Sequence, residues 1–341
     1  MNENEYYNKE GLNSSSIKAF ILKGIYGYIK ANENSSDYEL EHESLKLGSA
    51  VDCVLTTPDQ FNKKYYIGEI KSLGDKPYLI MQEVFDTISH MDLSKVEFAG
   101  ILDSVIVPIA RRVEYWGRIK DPIKYKERIT TDCLDYFNAK VRAGNREILT
   151  AEEALKVRNT ANKFITGVPG IFDNKKEDVK IYFQKALYTE YQGIACKGLL
   201  DVMVVNTTAK TIKAYDIKTM KDNVTRFSSN FQRFLYNVQA VFYSELLKVL
   251  FPRYTVLPFT FLVASIDDNL PVQAFGLTDD LYNYTLNGHP DRKTYYYKGI
   301  LKAIEDLKKH HELEEYSLDL EYLKFKKSEM TKIDFDFKYV L

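Results

Sequence analysis

Three strand-forming runs follow one another between residues 179 and 219: VKIYFQKALYT, IACKGLLDVMVV and TIKAYDIKT. The last two are separated only by the turn residues NTTAK, which predicts an antiparallel hairpin. Helical patterns lie on both sides. LNSSSIKAFILKGIYGYIK opens with Ser14, Ser15 and Ser16 as N-cap candidates and spaces Ile17, Phe20, Ile21, Ile25 and Ile29 as one helix face. LKLGSAVDCVLTTPDQF reads as a short helix stopped near Pro58. ILTAEEALKVRNTANKFI reads as a helix whose Thr150 and Glu153 form a capping box. FSSNFQRFLYNVQAVFYSELLKVLF is expected to be one long helix ending at Pro252, followed by the strand TVLPFTFLVAS and the helix YYYKGILKAIEDLKKHHELEEY. A later strand returning after a helix, beside an antiparallel hairpin, predicts an α/β fold with a mixed sheet. The expected organisation is one domain over 1–341, with 62–146 as a mixed insert and 150–311 holding most of the core.

The hairpin carries charges that a hydrophobic sheet does not need. Asp216 and Lys218 share a strand face, and Ile217 points the other way. With the loop at Thr207 to Lys210, the register sets Asp201 opposite Asp216, with Cβ atoms about 5 Å apart. Two bare carboxylates so placed repel, and a hard divalent cation relieves the conflict. Lys218 beside them suits a role in stabilising a pentavalent phosphate, so the pattern points to phosphodiester hydrolysis. Acids near strand ends also occur on solvated faces, and that reading stays open.

Two further features bear on the choice. Asp52, in LGSAVDCVL, borders the apolar stripe of Leu47, Val51 and Val54 and therefore needs a partner, either a shared metal or a Lys or Arg. Gln232, Tyr236, Gln239 and Tyr243 recur at helical steps along one face, either as a packed helix surface or as part of a substrate site.

LGSAVDCVLTTPDQF, GIACKGLLDVMVV, AYDIKT and YNVQAVFY, in that order, resemble the PD-(D/E)XK nuclease superfamily, and most nearly its RecE-like (exonuclease VIII type) phage and prophage exonucleases within the RecB-like group. The resemblance runs from about NSSSIKAF to VQAVFY and is thin over 62–146. It implies a restriction-endonuclease-like core, a central mixed sheet flanked by helices. It implies Asp201, Asp216 and the Ile217 carbonyl as ligands of Mg2+ or Mn2+, Lys218 as the catalytic lysine, and Gln239 and Tyr243 as supports. Asp52 stands where the family usually has His, and a carboxylate there still suits either metal. Ser14, Ser15, Lys197, Gln232 and Tyr236 are implied as nucleic-acid contacts. The implied activity is metal-dependent exonucleolytic digestion of linear duplex ends, giving single strands for an annealing protein in phage-type recombination or repair. Such enzymes are often ring-shaped homo-oligomers.

Charge does not contradict this. Forty-seven basic residues against 48 acidic ones leave a net charge of -1, so nucleic acid has to be held by a local patch. RRVEYWGRIKDPIKYKER offers one, with Arg111, Arg112, Trp116 and Arg118, or else a solvated amphipathic segment whose aromatics belong to the core. Three scattered cysteines fit neither a disulfide framework nor an iron-sulfur cluster and suit a reducing, cytoplasmic setting, of viral or prophage origin on the resemblance. No apolar run is long enough for a membrane span. Two alternatives remain: a RecB-like nuclease of another pathway, of endonuclease or CRISPR-adaptation type, and a non-catalytic DNA-binding protein on the same fold.

Overall fold

The computed structural model describes residues 6, 8–32, 42–70, 73–172, 176–221, 223–289 and 298–320. Along the chain run α1 (Ser14–Asn32), α2 (His42–Thr56), β1 (Tyr65–Gly68), α3 (Asp75–Thr87), α4 (Pro122–Ala143), β2 (Glu147–Thr150), α5 (Ala151–Gly167), β3 (Val179–Tyr191), β4 (Ile194–Asn206), β5 (Thr211–Met220), α6 (Phe227–Arg233), α7 (Tyr236–Leu250), β6 (Thr255–Val256), β7 (Thr260–Ser265), β8 (Gln273–Gly276), α8 (Asp279–Asn287) and α9 (Ile300–Leu313), with short helical turns between some of them. Two compact units result. One comprises Met1–Gly48 and Lys163–Leu341, the other Ser49–Asn162.

The first unit is built on a mixed sheet of order β3-β4-β5-β7-β8, with β6 also beside β5. The hairpin neighbours β3, β4 and β5 are antiparallel, whereas β5 and β7 run parallel because α6 and α7 connect them. This is the mixed α/β architecture that the strand and helix order predicts. The expected face of α1 is the one that packs: Ile17, Phe20, Ile21 and Ile25 are buried in the core with Val241, Phe242 and Leu246 of α7 and Ile304 and Leu307 of α9. Each such side chain contributes about 1.5–3 kcal/mol.

Two local expectations are corrected. The cap of α1 is Asn13 rather than a serine, since its Oδ1 accepts the Ser16 N–H at 2.9 Å. The expected long helix is two helices, because Leu235 adopts a left-handed conformation, φ 49°, between α6 and α7. That backbone costs about 1–2 kcal/mol. Leu235 is buried in the core, which returns about 1.5–3 kcal/mol and makes the break tolerable.

In the second unit, β1 and β2 pair in parallel, Tyr65 against Glu147 to Gly68 against Thr150. The intervening residues are mostly helical, around a core that includes Ile80, Met81, Val84, Ile129, Cys133 and Phe137. The Thr150–Glu153 capping box is present in both directions. Glu153 Oε2 accepts the Thr150 N–H at 2.7 Å, and Thr150 Oγ1 accepts the Glu153 N–H at 3.1 Å. Among the described residues no helix is long and apolar enough to cross a membrane.

Candidate active site

The β4–β5 hairpin closes with Asn206 paired to Thr211, so the loop is 207–210 as expected. The pairing then runs only as far as Val202 and Tyr215, one step short of Asp201 and Asp216. From there the strands part. β5 continues along β7, pairing Asp216 with Phe261 through to Met220 with Ser265. β4 stays with β3, and farther along it the main chain of Leu12 bonds to Ala195 and Lys197. The expected face-to-face pair of aspartates is therefore replaced by a different contact, in which Asp201 Oδ2 accepts the Ile217 N–H at 2.8 Å. A carboxylate has taken the place of a ladder partner.

The same level of the sheet is distorted on its other side. Gln184 of β3, the residue between the pairs Phe183–Val202 and Lys185–Leu200, has φ 46°. Across this point the core-facing residues of β4 change from even-numbered, Cys196 and Leu200, to odd-numbered, Met203 and Val205. A non-glycine residue in this region costs on the order of 1–2 kcal/mol and persists only where its surroundings over-determine it.

Asp216 lies on the helix-covered face of β5, only 3% exposed, in line with Ile212, Ala214 and Met220. Its carboxylate is held from two sides. Gln239 of α7 donates Nε2 to Oδ1 at 2.6 Å, and the Lys218 ammonium lies 2.5 Å from Oδ2. Burial works against the charge on Lys218, but the Asp216 and Asp201 carboxylates outweigh it and raise the lysine above its ordinary pKa. Tyr243, one turn after Gln239 on α7, is buried beside them, and its hydroxyl accepts from Ser14 Oγ at 3.4 Å. Burial and the same two carboxylates push the Tyr243 pKa up. Both aspartates thus act on Lys218 and on Tyr243, which locates them in one electrostatic site.

Two glycines make room for these groups. A Cβ on Gly198 of β4 would come within 2.9 Å of Tyr243 Cε1, and one on Gly48 of α2 within 2.8 Å of Thr219 Oγ1. Neither position accommodates a side chain without displacing a neighbour of the site.

A residue that the sequence patterns passed over also belongs here. The Lys18 ammonium is 3.4 Å from Gln239 Oε1 and 5.3 Å from the Tyr236 ring centre, and the Lys218 ammonium is 5.1 Å from that same ring. Burial first, and then repulsion from Lys218, bring its pKa down to about 7 despite the attraction of Asp216. Lys18 sits among Ile17, Phe20 and Ile21 on a helix whose dominant pattern is apolar spacing, so the pattern alone does not single it out. Its one sequence signal was a position one turn after Ser14.

The remaining candidates are distributed as follows. Ser15 is exposed while Ser14 points inward. Lys197 anchors the N-terminal segment, its ammonium donating to the carbonyls of Lys9 at 2.6 Å and Tyr6 at 3.2 Å. Gln232 is exposed on α6, off the continuous face that joins Tyr236, Gln239 and Tyr243 on α7. Asp52 belongs to the second unit, where its carbonyl accepts the Thr56 hydroxyl at 2.8 Å. In that unit Tyr115 and Tyr125 are core residues, whereas Trp116 is 45% exposed under the Arg128 guanidinium. Arg111 stacks on Tyr125 and donates to the Ile119 carbonyl, Arg112 pairs with Glu83, and Arg118 is exposed.

Among the described residues no group of three or more His, Cys, Asp or Glu side chains is placed to hold a metal ion. Asp201 and Asp216 nevertheless make a hard-oxygen donor set, and magnesium binds through one or two carboxylates while keeping several waters.

No family model matches the chain, and no curated protein matches it. A solved structure of a candidate exonuclease from Eubacterium rectale is similar to it at 10% identity and a TM-score of 0.40, over 98% of this chain and 96% of that one.

Proposed function

We infer that the first unit is a divalent-metal-dependent deoxyribonuclease that hydrolyses phosphodiester bonds from duplex ends. The observation that carries the reading is the convergence of Asp201, Asp216 and Lys218 with Gln239 where β4 and β5 part. A structural salt bridge would account for Asp216 and Lys218 alone. It gives no reason for a second carboxylate at the same place, or for the strained Gln184 backbone across from it.

Asp201 and Asp216, with the Ile217 carbonyl, are the residues to hold Mg2+ or Mn2+. Such an ion, when bound, supplies Lewis acidity at the phosphate and a water made acidic enough to attack. Asp201, tied to the Ile217 N–H, keeps one carboxylate oxygen fixed in place. Gln239 sets the orientation of Asp216 through Oδ1. Lys218, whose ammonium lies beside Asp216 Oδ2, would direct its protons to the charge building on the phosphate oxygens. In the metal-free protein the Asp216 and Asp201 carboxylates raise this lysine above its ordinary pKa, which suits it to an electrostatic role. The proposal stands on residues of the first unit; Asp52 and the Arg111–Arg118 patch lie in the second.

End-labelled linear duplex and closed circular duplex, each incubated with magnesium, manganese or EDTA, test the reading. Loss of label from linear DNA only, with either metal and not with EDTA, is expected. Rapid cleavage of closed circles at discrete sequences overturns the exonuclease part and leaves an endonuclease.

A further inference from the structure

Lys18 is a charged group of this site that has no ion-pair partner among the described residues. An ammonium has three protons to donate. Lys18 places one, on a long hydrogen bond of 3.4 Å to Gln239 Oε1. Both oxygens of Asp216 are already engaged, Oδ1 by Gln239 and Oδ2 by Lys218. Among the described residues no carboxylate forms an ion pair with Lys18.

We propose that Lys18 is a substrate-binding residue, and that the anion it takes is a phosphate oxygen of the nucleic acid held at Asp201 and Asp216. This rests on the nuclease reading and adds to it a second cationic contact on α1. Two aspartates and two lysines balance, so a divalent cation leaves the pocket with a surplus of two positive charges. A phosphodiester and an attacking hydroxide bring two negative ones. With Lys18 absent, the surplus falls to one.

Packing gives the same answer. A half-buried ammonium without an ion-pair partner is costly, and a methionine, one atom shorter, would satisfy α1 and the Tyr236 ring without that cost. The lysine makes sense where a ligand completes it. Orienting Gln239 is a weaker explanation, because that amide is already fixed by its 2.6 Å bond to Asp216.

The test uses the whole chain with Lys18→Met, Lys18→Gln and Lys18→Arg, each checked for an intact melting transition. Binding of labelled duplex DNA is followed by anisotropy in EDTA over a range of salt, and cleavage is followed with magnesium. One phosphate contact is worth about 0.9 in the log–log salt slope, so Lys18→Met and Lys18→Gln are expected to flatten it by about that much. They are also expected to lower kcat/KM by about 10- to 100-fold, the range for a hydrogen bond to a charged group. Lys18→Arg is expected to recover most of the binding. If the wild type cuts DNA and the Met and Gln variants match its slope and kcat/KM, the assignment of Lys18 is overturned and the nuclease reading survives. If kcat falls while the salt slope is unchanged and Arg gives no rescue, Lys18 acts only through Gln239 and the proposal fails. A wild-type protein that neither binds nor cuts DNA overturns both.

Discussion

Replacing Lys18 with methionine should make the metal-free protein more stable, and the gain should depend on pH in a defined direction. The pKa of Lys18 falls from 10.5 to about 7, first because of burial and then because of Lys218. At ~1.36 kcal/mol per unit of pKa, such a fall corresponds to about 5 kcal/mol for a wholly sealed group. The side chain is half-buried, so water screens part of this, and about 2 kcal/mol is the expected share. The unfolded chain holds the proton up to about 10.5 and the folded chain only to about 7. Unfolding therefore takes up a proton between those values, and wild-type stability rises with pH across that window. The cost of Lys18 is complete at and below about pH 7 and vanishes near 10.5. Methionine is only one atom shorter than lysine and close to it in helix propensity, so little else changes. Urea denaturation of both proteins in EDTA, at neutral pH and again at about pH 10, measures it. The account predicts a gain for Lys18→Met that is largest at neutral pH and nearly absent at the higher one. A variant equal to or less stable than wild type at neutral pH would refute the claim that Lys18 is a charge without an ion-pair partner.

Three other outcomes follow from the same geometry. Gln239→Leu leaves Asp216 Oδ1 without its donor, and should cost about 1–3 kcal/mol in denaturation while lowering the cleavage rate. Gly198→Ala drives a methyl into Tyr243, and should cost about 1–3 kcal/mol, with Gly198→Val worse, by thermal melting. Neutralising Arg111, Arg112 and Arg118 together should flatten the salt dependence of DNA binding, each lost contact removing about 0.9 from the slope. A melting control is needed there because Arg111 stacks on Tyr125.

The hairpin was legible because strand alternation and a four-residue turn fix each other, and the observed loop at 207–210 follows directly. The Thr150–Glu153 box was legible for a similar reason, since both partners lie within one turn. What pairing rules could not supply was the parting of β4 from β5 after Val202 and Tyr215. The parting coincides with a left-handed Gln184 on the preceding strand and with pairing to β7 and Leu12, the last two remote from the hairpin in sequence. The Gln232–Tyr243 stripe failed at its first member because a buried Leu235 outweighed helical continuity. Lys18 was hidden by its apolar neighbours, and its meaning comes from Gln239, 221 positions away.

The central claim is that Asp216, paired with Lys218 and Gln239, is the centre of a metal-dependent hydrolytic site. The direct measurement compares wild type with Asp216→Asn on end-labelled linear duplex, with magnesium and with EDTA, at matched folded concentrations. The account predicts metal-dependent release of label by wild type and a loss of at least ~100-fold in Asp216→Asn, of the size seen when a transition-state charge partner is removed. Cleavage by Asp216→Asn at close to the wild-type rate, or release of label by wild type that EDTA leaves unchanged, would contradict it.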